Sequence, residues 1–243
     1  MRRALVVGGA NGIGLSIATE LAKRADCERV YIVDKAQPAA EHMNAKFQYY
    51  PFDLTSSDYT IFDQFTDVDT LMITAGFGKL ALFKDLDESY IINSMNVNTT
   101  AVMRIIHHFR AQLHDTKDFY CGVMVSIAGF MSSPFFSVYG ASKAALKIFI
   151  ESVNVELEKC GTSNRILNVS PGSIKGTSFN RGTTDLSQTT PLASEIIEHL
   201  EAKDDLFIPQ YEEIFKHVLA RYQQDFRAEG RHSYEYKLNS GRL

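Results

Sequence analysis

A tyrosine and a lysine four residues apart, Tyr139 and Lys143, are the pair in this 243-residue chain whose types and spacing carry the most chemistry. Within Tyr139-Gly140-Ala141-Ser142-Lys143 they share one face of a helix, because residues four apart stand one turn above another. A positive charge about 4 Å from the phenol, at an effective dielectric near 20, favours the phenolate by roughly 4 kcal/mol. That is enough to draw a phenol from about 10 toward neutrality, where it works as a general acid or base. Burial opposes this shift. Ser126, at the end of the apolar run from Val123, adds a hydroxyl able to hold a substrate oxygen.

What must position these groups is an alternation of strands and helices. Ala4 to Val7 is an apolar run, and Gly8-Gly9-Ala10-Asn11-Gly12-Ile13-Gly14 follows it as a turn. Leu15, Ile17, Ala18, Leu21 and Ala22 then recur at helical spacing. Small residues between a buried strand and a helix let the backbone approach a pyrophosphate while the helix N-terminus supplies N–H donors. Gly8, Asn11, Gly12, Ile13 and Gly14 are therefore candidate cofactor contacts. Val30 to Val33 is a second strand ending at Asp34, whose carboxylate can accept from an adenosine ribose and would repel a 2′-phosphate. Asn11, inside the turn, offers no positive charge to such a phosphate, and although Lys35 is a neighbouring cation, the repulsion by Asp34 favours NAD over NADP.

Further strands run from Phe47 to Phe52 before Asp53, from Leu71 to Thr74 before Ala75-Gly76, from Val123 to Ser126 and from Arg165 to Val169. Helical periodicity separates them, on Val102, Ile105, Ile106, Phe109 and Leu113 and again on Leu146, Phe149, Ile150, Val153 and Leu157. The expected fold is α/β: a single doubly wound, Rossmann-like domain over residues 1–243, with a parallel sheet and helices on both faces. Gly176 to Thr190 is rich in Ser, Thr and Gly and reads as a loop. Residues 176–200 are expected to form a substrate lid and 201–243 a C-terminal helix and tail. That helix is marked by Phe215, Val218, Leu219, Tyr222 and Phe226, and the polar tail runs from Glu229 to Leu243.

Composition narrows the classes. A formal charge of −4 gives no global attraction to phosphate backbones or anionic lipid. No apolar stretch is long enough to span a bilayer. Cys27, Cys121 and Cys160 are odd in number and contain no CxxC, which argues against a disulfide framework and fits a cytoplasmic setting. His107, His108 and His114 lack the carboxylate pattern of a metal site, and none is expected. Arg221, Arg227, Arg231, Lys237 and Arg242 interleave with Tyr222, Phe226, Tyr234 and Tyr236, but Asp225, Glu229 and Glu235 dilute the charge, so no nucleic-acid partner is expected.

Taken together these motifs resemble the short-chain dehydrogenase/reductase family, in its compact single-domain branch. Gly8-x3-Gly12-x-Gly14 is similar to its glycine motif, Asp34 to its NAD-selecting acid and Asp53-Leu54 to its adenine-contacting pair. Thr74-Ala75-Gly76 is similar to its Asn-Asn-Ala-Gly segment, and Pro171-Gly172 to its segment after the sixth strand. Asn98, Ser126, Tyr139 and Lys143 match its active-site asparagine, serine, tyrosine and lysine. The resemblance implies hydride transfer between nicotinamide and a carbinol or carbonyl carbon. In that scheme Tyr139 moves the hydroxyl proton, Lys143 lowers its pKa and holds the nicotinamide ribose, Ser126 binds the substrate oxygen and Asn98 positions a water. Ile174 would offer its backbone to the carboxamide, with Thr177 nearby. The resemblance is strong over residues 1–178.

The chain departs from that pattern in having Val7 and Ile73-Thr74 where the family has a threonine and paired asparagines, and in lacking a glycine-rich C-terminal ending. The ending makes a 3-oxoacyl-thioester reductase the weaker alternative, and an epimerase of the extended branch is disfavoured by length and glycine spacing. An NAD-binding regulatory protein without turnover is the other alternative, against which the intact four-residue set argues. Phe130, Met131, Phe135, Phe136 and Phe179 flank the site and suggest a bulky or apolar alcohol or ketone. Ala144, Ile148 and Val155 are additional apolar helix positions, of the kind that pairs subunits in the family, so a homodimer or homotetramer is expected.

Overall fold

In the computed structural model, which describes residues 1–177, 179 and 183–240, the alternating pattern folds into one seven-stranded sheet. In chain order the strands are β1 (Arg3–Val7), β2 (Arg29–Asp34), β3 (Phe47–Pro51), β4 (Thr70–Ile73), β5 (Tyr120–Met124), β6 (Ile166–Val169) and β7 (Leu206–Phe207). Their spatial order is β3-β2-β1-β4-β5-β6-β7, with every pairing parallel. Order reverses beside β1, where β4 pairs on one side and β2 on the other. Crevices open at the carboxyl ends of strands at such a point.

Helices cover both faces. The helices are α1 (Gly12–Lys23), α2 (Glu88–Met95), α3 (Ala101–His108), α4 (Arg110–His114), α5 (Ser137–Lys159), α6 (Leu186–Ala202), α7 (Lys216–Gln224) and α8 (Phe226–Asn239). Alternating side chains of β1 separate the two cores: Leu5 and Val7 join Ile105, Leu146 and Ile150 of α3 and α5, whereas Ala4 and Val6 join Leu15, Leu21 and Ile196 of α1 and α6. Each such large aliphatic side chain contributes roughly 1.5–3 kcal/mol by leaving water. Of the cysteines, Cys27 and Cys121 are buried, and Cys160 is exposed at the C-terminal cap of α5.

The C-terminal third differs from the sequence expectation in three places. The Ser/Thr run through Thr190 ends in helix: the Asp185 carboxylate accepts from the Ser187 N–H and starts α6 at Leu186. Its hydroxyls pack inward, Ser16 and Thr189 meeting at 2.6 Å between α1 and α6. Leu206–Phe207 forms a seventh strand. The polar stretch from Glu229 is helical, because Asp225 caps α8 through the N–H groups of Arg227 and Ala228 and because Arg221 bonds the buried Glu229 carboxylate at 2.8 and 3.1 Å. Arg242 lies outside the described residues. Among the described residues no helix is long and apolar enough to cross a membrane.

Candidate active site

Two clusters converge on the carboxyl edge of the sheet. The first is the turn between β1 and α1. Gly8 has φ +86°, and a Cβ there would lie 2.4 Å from the Ala75 nitrogen; one on Gly14 would lie 2.2 Å from the Gly8 carbonyl oxygen. Only hydrogen fits at either place. Thr74 donates its hydroxyl to the carbonyls of Val7 (3.1 Å) and Gly8 (2.9 Å), so the threonine itself ties the end of β4 to the turn. Asn11 is the N-cap of α1 with extended backbone, and Ile13 packs on the α1 core. The Gly12 N–H donates to the Thr184 hydroxyl at 3.2 Å, and Thr177 lies against Gly12.

Asp34 lies beside this turn. One carboxylate oxygen accepts from the Ala10 N–H at 3.0 Å and the other from the Ala36 N–H at 3.2 Å. Asp53 accepts from the Thr55 N–H and hydroxyl, both at 2.8 Å, and those bonds hold its carboxyl below the usual range; the Leu54 carbonyl accepts from Tyr59.

The second cluster is built on α5 and the end of β5. Ser126 is buried, its oxygen accepting from the Ala128 N–H at 3.2 Å and its hydroxyl donating to the Pro171 carbonyl at 3.5 Å, and it stands close enough to the Tyr139 phenol to draw its pKa down. One turn along, Lys143 is buried and donates to the Met124 carbonyl at 2.8 Å, its Nζ 5.7 Å from the Tyr139 ring centroid. A Cβ on Gly76 would stand 3.2 Å from Asn98 Oδ1 and 3.3 Å from Lys143 Nζ, so Gly76 leaves the space between them open. On the opposite bank, Pro171 carries the carbonyl facing Ser126, Gly172 abuts the Phe215 ring, and Ile174 accepts from the Thr177 hydroxyl at 3.3 Å.

One expectation about this corner changes. Burial dominates the ionisation of both groups: it pushes Tyr139 up to about 12 and Lys143 down to about 7. The drop of the phenol toward neutrality is thus reversed in this arrangement, because burial disfavours the phenolate and Ser126 offsets only part of that push. Asn98 is fully buried in a π-helical turn (Asn96–Thr100), and its amide is engaged within the protein. It accepts from the Phe77 N–H at 3.0 Å and donates to the Phe77 carbonyl at 2.8 Å and to Ser94 and Ser142 at 3.3 Å each. Its side chain fixes the backbone around Phe77.

The five residues singled out as a pocket separate. Phe136 and Phe179 pack on the Tyr139 ring, with centroids 5.5 and 5.2 Å away. Phe135 turns away to stack on Tyr234, while Phe130 and Met131 line a groove of about 540 Å3 behind α5 with Gly140, Ala144 and Tyr222. The sequence reading missed Tyr90. Its hydroxyl accepts from the Lys79 N–H at 2.8 Å, its ring meets Phe77 edge-on, and it is close enough to push the Tyr139 phenol further up. The i, i+4, i+8 spacing of Tyr90, Ser94 and Asn98 was its signal.

Residues 2–187 match the family model described as short chain dehydrogenase. The chain belongs to the short-chain dehydrogenase family. It is 28% identical over 212 residues to the short-chain dehydrogenase fogD of Aspergillus ruber, covering 81% of this chain and 72% of that protein. It is also 27% identical over 191 residues to sorbitol-6-phosphate 2-dehydrogenase of Klebsiella pneumoniae, covering 71% and 69%. For some family relatives the shared length is less, as with dehydrogenase RED2 of Cochliobolus heterostrophus, of which it spans 63% at 28% identity. The fold matches a short-chain dehydrogenase from Streptomyces avermitilis with a TM-score of 0.76, at 19% identity over 98% of this chain and 97% of that one. It matches one from Burkholderia cenocepacia in complex with NADP equally well, at 20% identity over 95% and 99%. This chain is thus an oxidoreductase of that family, with a fold that binds nicotinamide cofactors.

Proposed function

We propose that this short-chain dehydrogenase uses NAD to interconvert a bulky, apolar secondary alcohol and its ketone, with Tyr139 as the proton-transfer group. The observation that carries the reading is the Tyr139 phenol standing within reach of Ser126, one helical turn from a buried Lys143, at the carboxyl end of the sheet. Ser126 would hold the substrate oxygen beside the phenol, and Tyr139 would take the hydroxyl proton during oxidation or return it during reduction. Lys143, when protonated, offsets the phenolate charge that burial disfavours. Phe136 and Phe179 supply an apolar wall, which favours a large substrate over a polyol.

The residues present fit a dinucleotide, since the glycine turn leads from the carboxyl end of β1 straight into the N-terminus of α1, where backbone N–H groups can meet a pyrophosphate. Gly8, Asn11, Gly12, Ile13 and Gly14 would hold the pyrophosphate, and Asp34, Asp53 and Leu54 the adenosine. Ala75, Gly76, Tyr139 and Lys143 would hold the nicotinamide ribose, with Pro171, Gly172, Ile174 and Thr177 on the carboxamide side. The bound nicotinamide ring supplies the hydride donor or acceptor. Asp34 places a negative charge where a 2′-phosphate would go, and this supports NAD, although solved relatives include complexes with NADP and NADPH. The lid expected over residues 176–200 is limited to the stretch before α6, because α6 (Leu186–Ala202) is packed into the core through Ala193, Ile196 and Leu200. Ile148 and Val155, both more than half exposed and seven residues apart on α5, support pairing of subunits through that helix, which light scattering would read.

The test is a panel of secondary alcohols with NAD and with NADP, followed by absorbance of the reduced cofactor, on the native chain and on Tyr139→Phe. The expected result is turnover of large apolar alcohols with NAD, lost in Tyr139→Phe while NADH binding persists. Turnover retained by Tyr139→Phe, or preference for NADPH or for sugars, overturns the corresponding part of the reading.

A further inference from the structure

The loop from Ser132 to Phe136, which delivers the chain into α5, contains a backbone conformation that its sequence disfavours. Phe135 has φ +65°, a left-handed setting rare for a bulky residue. Within the loop a turn closed by the Phe136 N–H to the Ser133 carbonyl at 2.9 Å, with Pro134 as its second residue, asks for positive φ at Phe135, but a bulky residue there is strained and has also to be held from outside. The imposing groups lie on α8, about a hundred residues later in the chain. The Tyr234 ring stacks on Phe135 with centroids 4.7 Å apart and planes at 27°. Lys237 donates to the Ser133 hydroxyl and to the Pro134 carbonyl, each at 2.8 Å, and its ammonium lies 5.5 Å from the Phe136 ring centroid.

Phe136 is where this grip reaches the site. Its carbonyl accepts from the Gly140 N–H at 2.7 Å, opening α5, and its ring lies 5.5 Å from the Tyr139 ring. The Phe135 carbonyl accepts from the Ala81 N–H at 2.9 Å, joining the same loop to the segment after Phe77. The helix that applies the grip is itself anchored. Glu229, buried, is bonded to Arg221 of α7, and a Cβ on Gly230 would come within 3.1 Å of the Ser132 hydroxyl oxygen. At the other end Phe215 abuts Gly172. The C-terminal helices therefore bridge both banks of the cleft.

We propose that Lys237 and Tyr234 are positioning residues for the active site, holding Ser133 to Phe136 in the conformation that sets Phe136 against Tyr139. Without them Phe135 relaxes to negative φ, and the start of α5 and the wall of the cleft move with it. This rests on the oxidoreductase reading for its kinetic consequence but not for its structural one. Small displacements at a reacting centre are costly in rate, so a loosened loop lowers kcat more than it lowers cofactor affinity.

The experiment is amide hydrogen exchange and steady-state kinetics on the full chain, for Lys237→Met, Tyr234→Leu and Lys237→Arg. Expected in the first two is at least tenfold faster exchange at Ala81, Phe136 and Gly140, with the amides of β1 and β4 unchanged. With the best alcohol of the panel, kcat falls about tenfold while NADH affinity holds. Lys237→Arg, which keeps the donors and the cation over the ring, restores both readouts. Lys216→Met, on an exposed ion pair with Glu212, changes neither. Unchanged exchange and kcat in both disrupting variants overturns the proposal, as does loss of protection spread evenly through the sheet, which would make α8 a support of the whole fold. Tyr139→Phe run alongside separates the two ideas: its retained turnover removes the catalytic assignment, while the exchange pattern decides the role of α8 by itself.

Discussion

The glycine turn and the corner around Tyr139 share one edge of the sheet and are built by opposite means. The turn is made of backbone: its shape follows from places where only hydrogen fits, at Gly8 against Ala75 and at Gly14 against the Gly8 carbonyl. The corner is made of side chains from distant parts of the chain, Ser126, Tyr139, Lys143 and Asn98, whose properties are set by how much water they have lost. Sterics give the turn an all-or-none tolerance to substitution. Desolvation gives the corner a graded response to pH and to neighbouring charge.

The largest effect that would separate the two regions is at Gly8. Gly8→Ala combines a left-handed conformation costing roughly 1–2 kcal/mol with a backbone clash costing roughly 1–3 kcal/mol. Urea unfolding should show the loss, and NADH titration should show binding abolished. Native-like stability in Gly8→Ala would mean the turn is not sterically closed.

A second measurement probes the corner. Lys143 has its folded pKa lowered to about 7 from an ordinary 10.5, so between those values the unfolded chain holds a proton that the folded one has released. Stability from this residue therefore rises with pH across that window, by at most about 1.4 kcal/mol per unit. Tyr139, raised to about 12, acts in the opposite sense between about 10 and 12, where the unfolded phenol ionises first. Comparing urea midpoints at pH 7 and pH 9, the native chain should gain more than Lys143→Met. An equal gain in both would remove burial as the cause. The smallest effect is at the seam between the regions: Thr74→Val deletes the donor to Val7 and Gly8 and should cost about 1 kcal/mol, with little change in kcat.

How much was legible in the sequence follows the same division. The strand, glycine turn and helix at residues 3–23 could be read because every constraint is local, as could the placement of Tyr139 and Lys143 on one helical face. The ionisation of that pair could not, because it depends on burial supplied by segments that fold over it. In the C-terminal third, α8 has few apolar positions to betray it. Its buried charge, Glu229, makes sense only once Arg221 is beside it. The start of α6 was hidden by Ser and Thr residues that looked solvated, although Asp185 ahead of Ser187 was a capping signal in plain view. The left-handed Phe135 has only a weak local signature, Pro134 ahead of it in a turn whose third position ordinarily takes glycine, and the ring that packs on it comes from another helix.

The single exposed thiol has a practical consequence. With Cys27 and Cys121 buried, a maleimide dye should find Cys160 alone, at the far end of the helix that begins beside Tyr139. At 1.5 Å per residue that reporter would sit about 30 Å from the phenol, close enough to exchange energy with a second fluorophore at the cleft and far enough to leave the chemistry undisturbed. The native sequence thus already carries the attachment point for watching this molecule work one copy at a time.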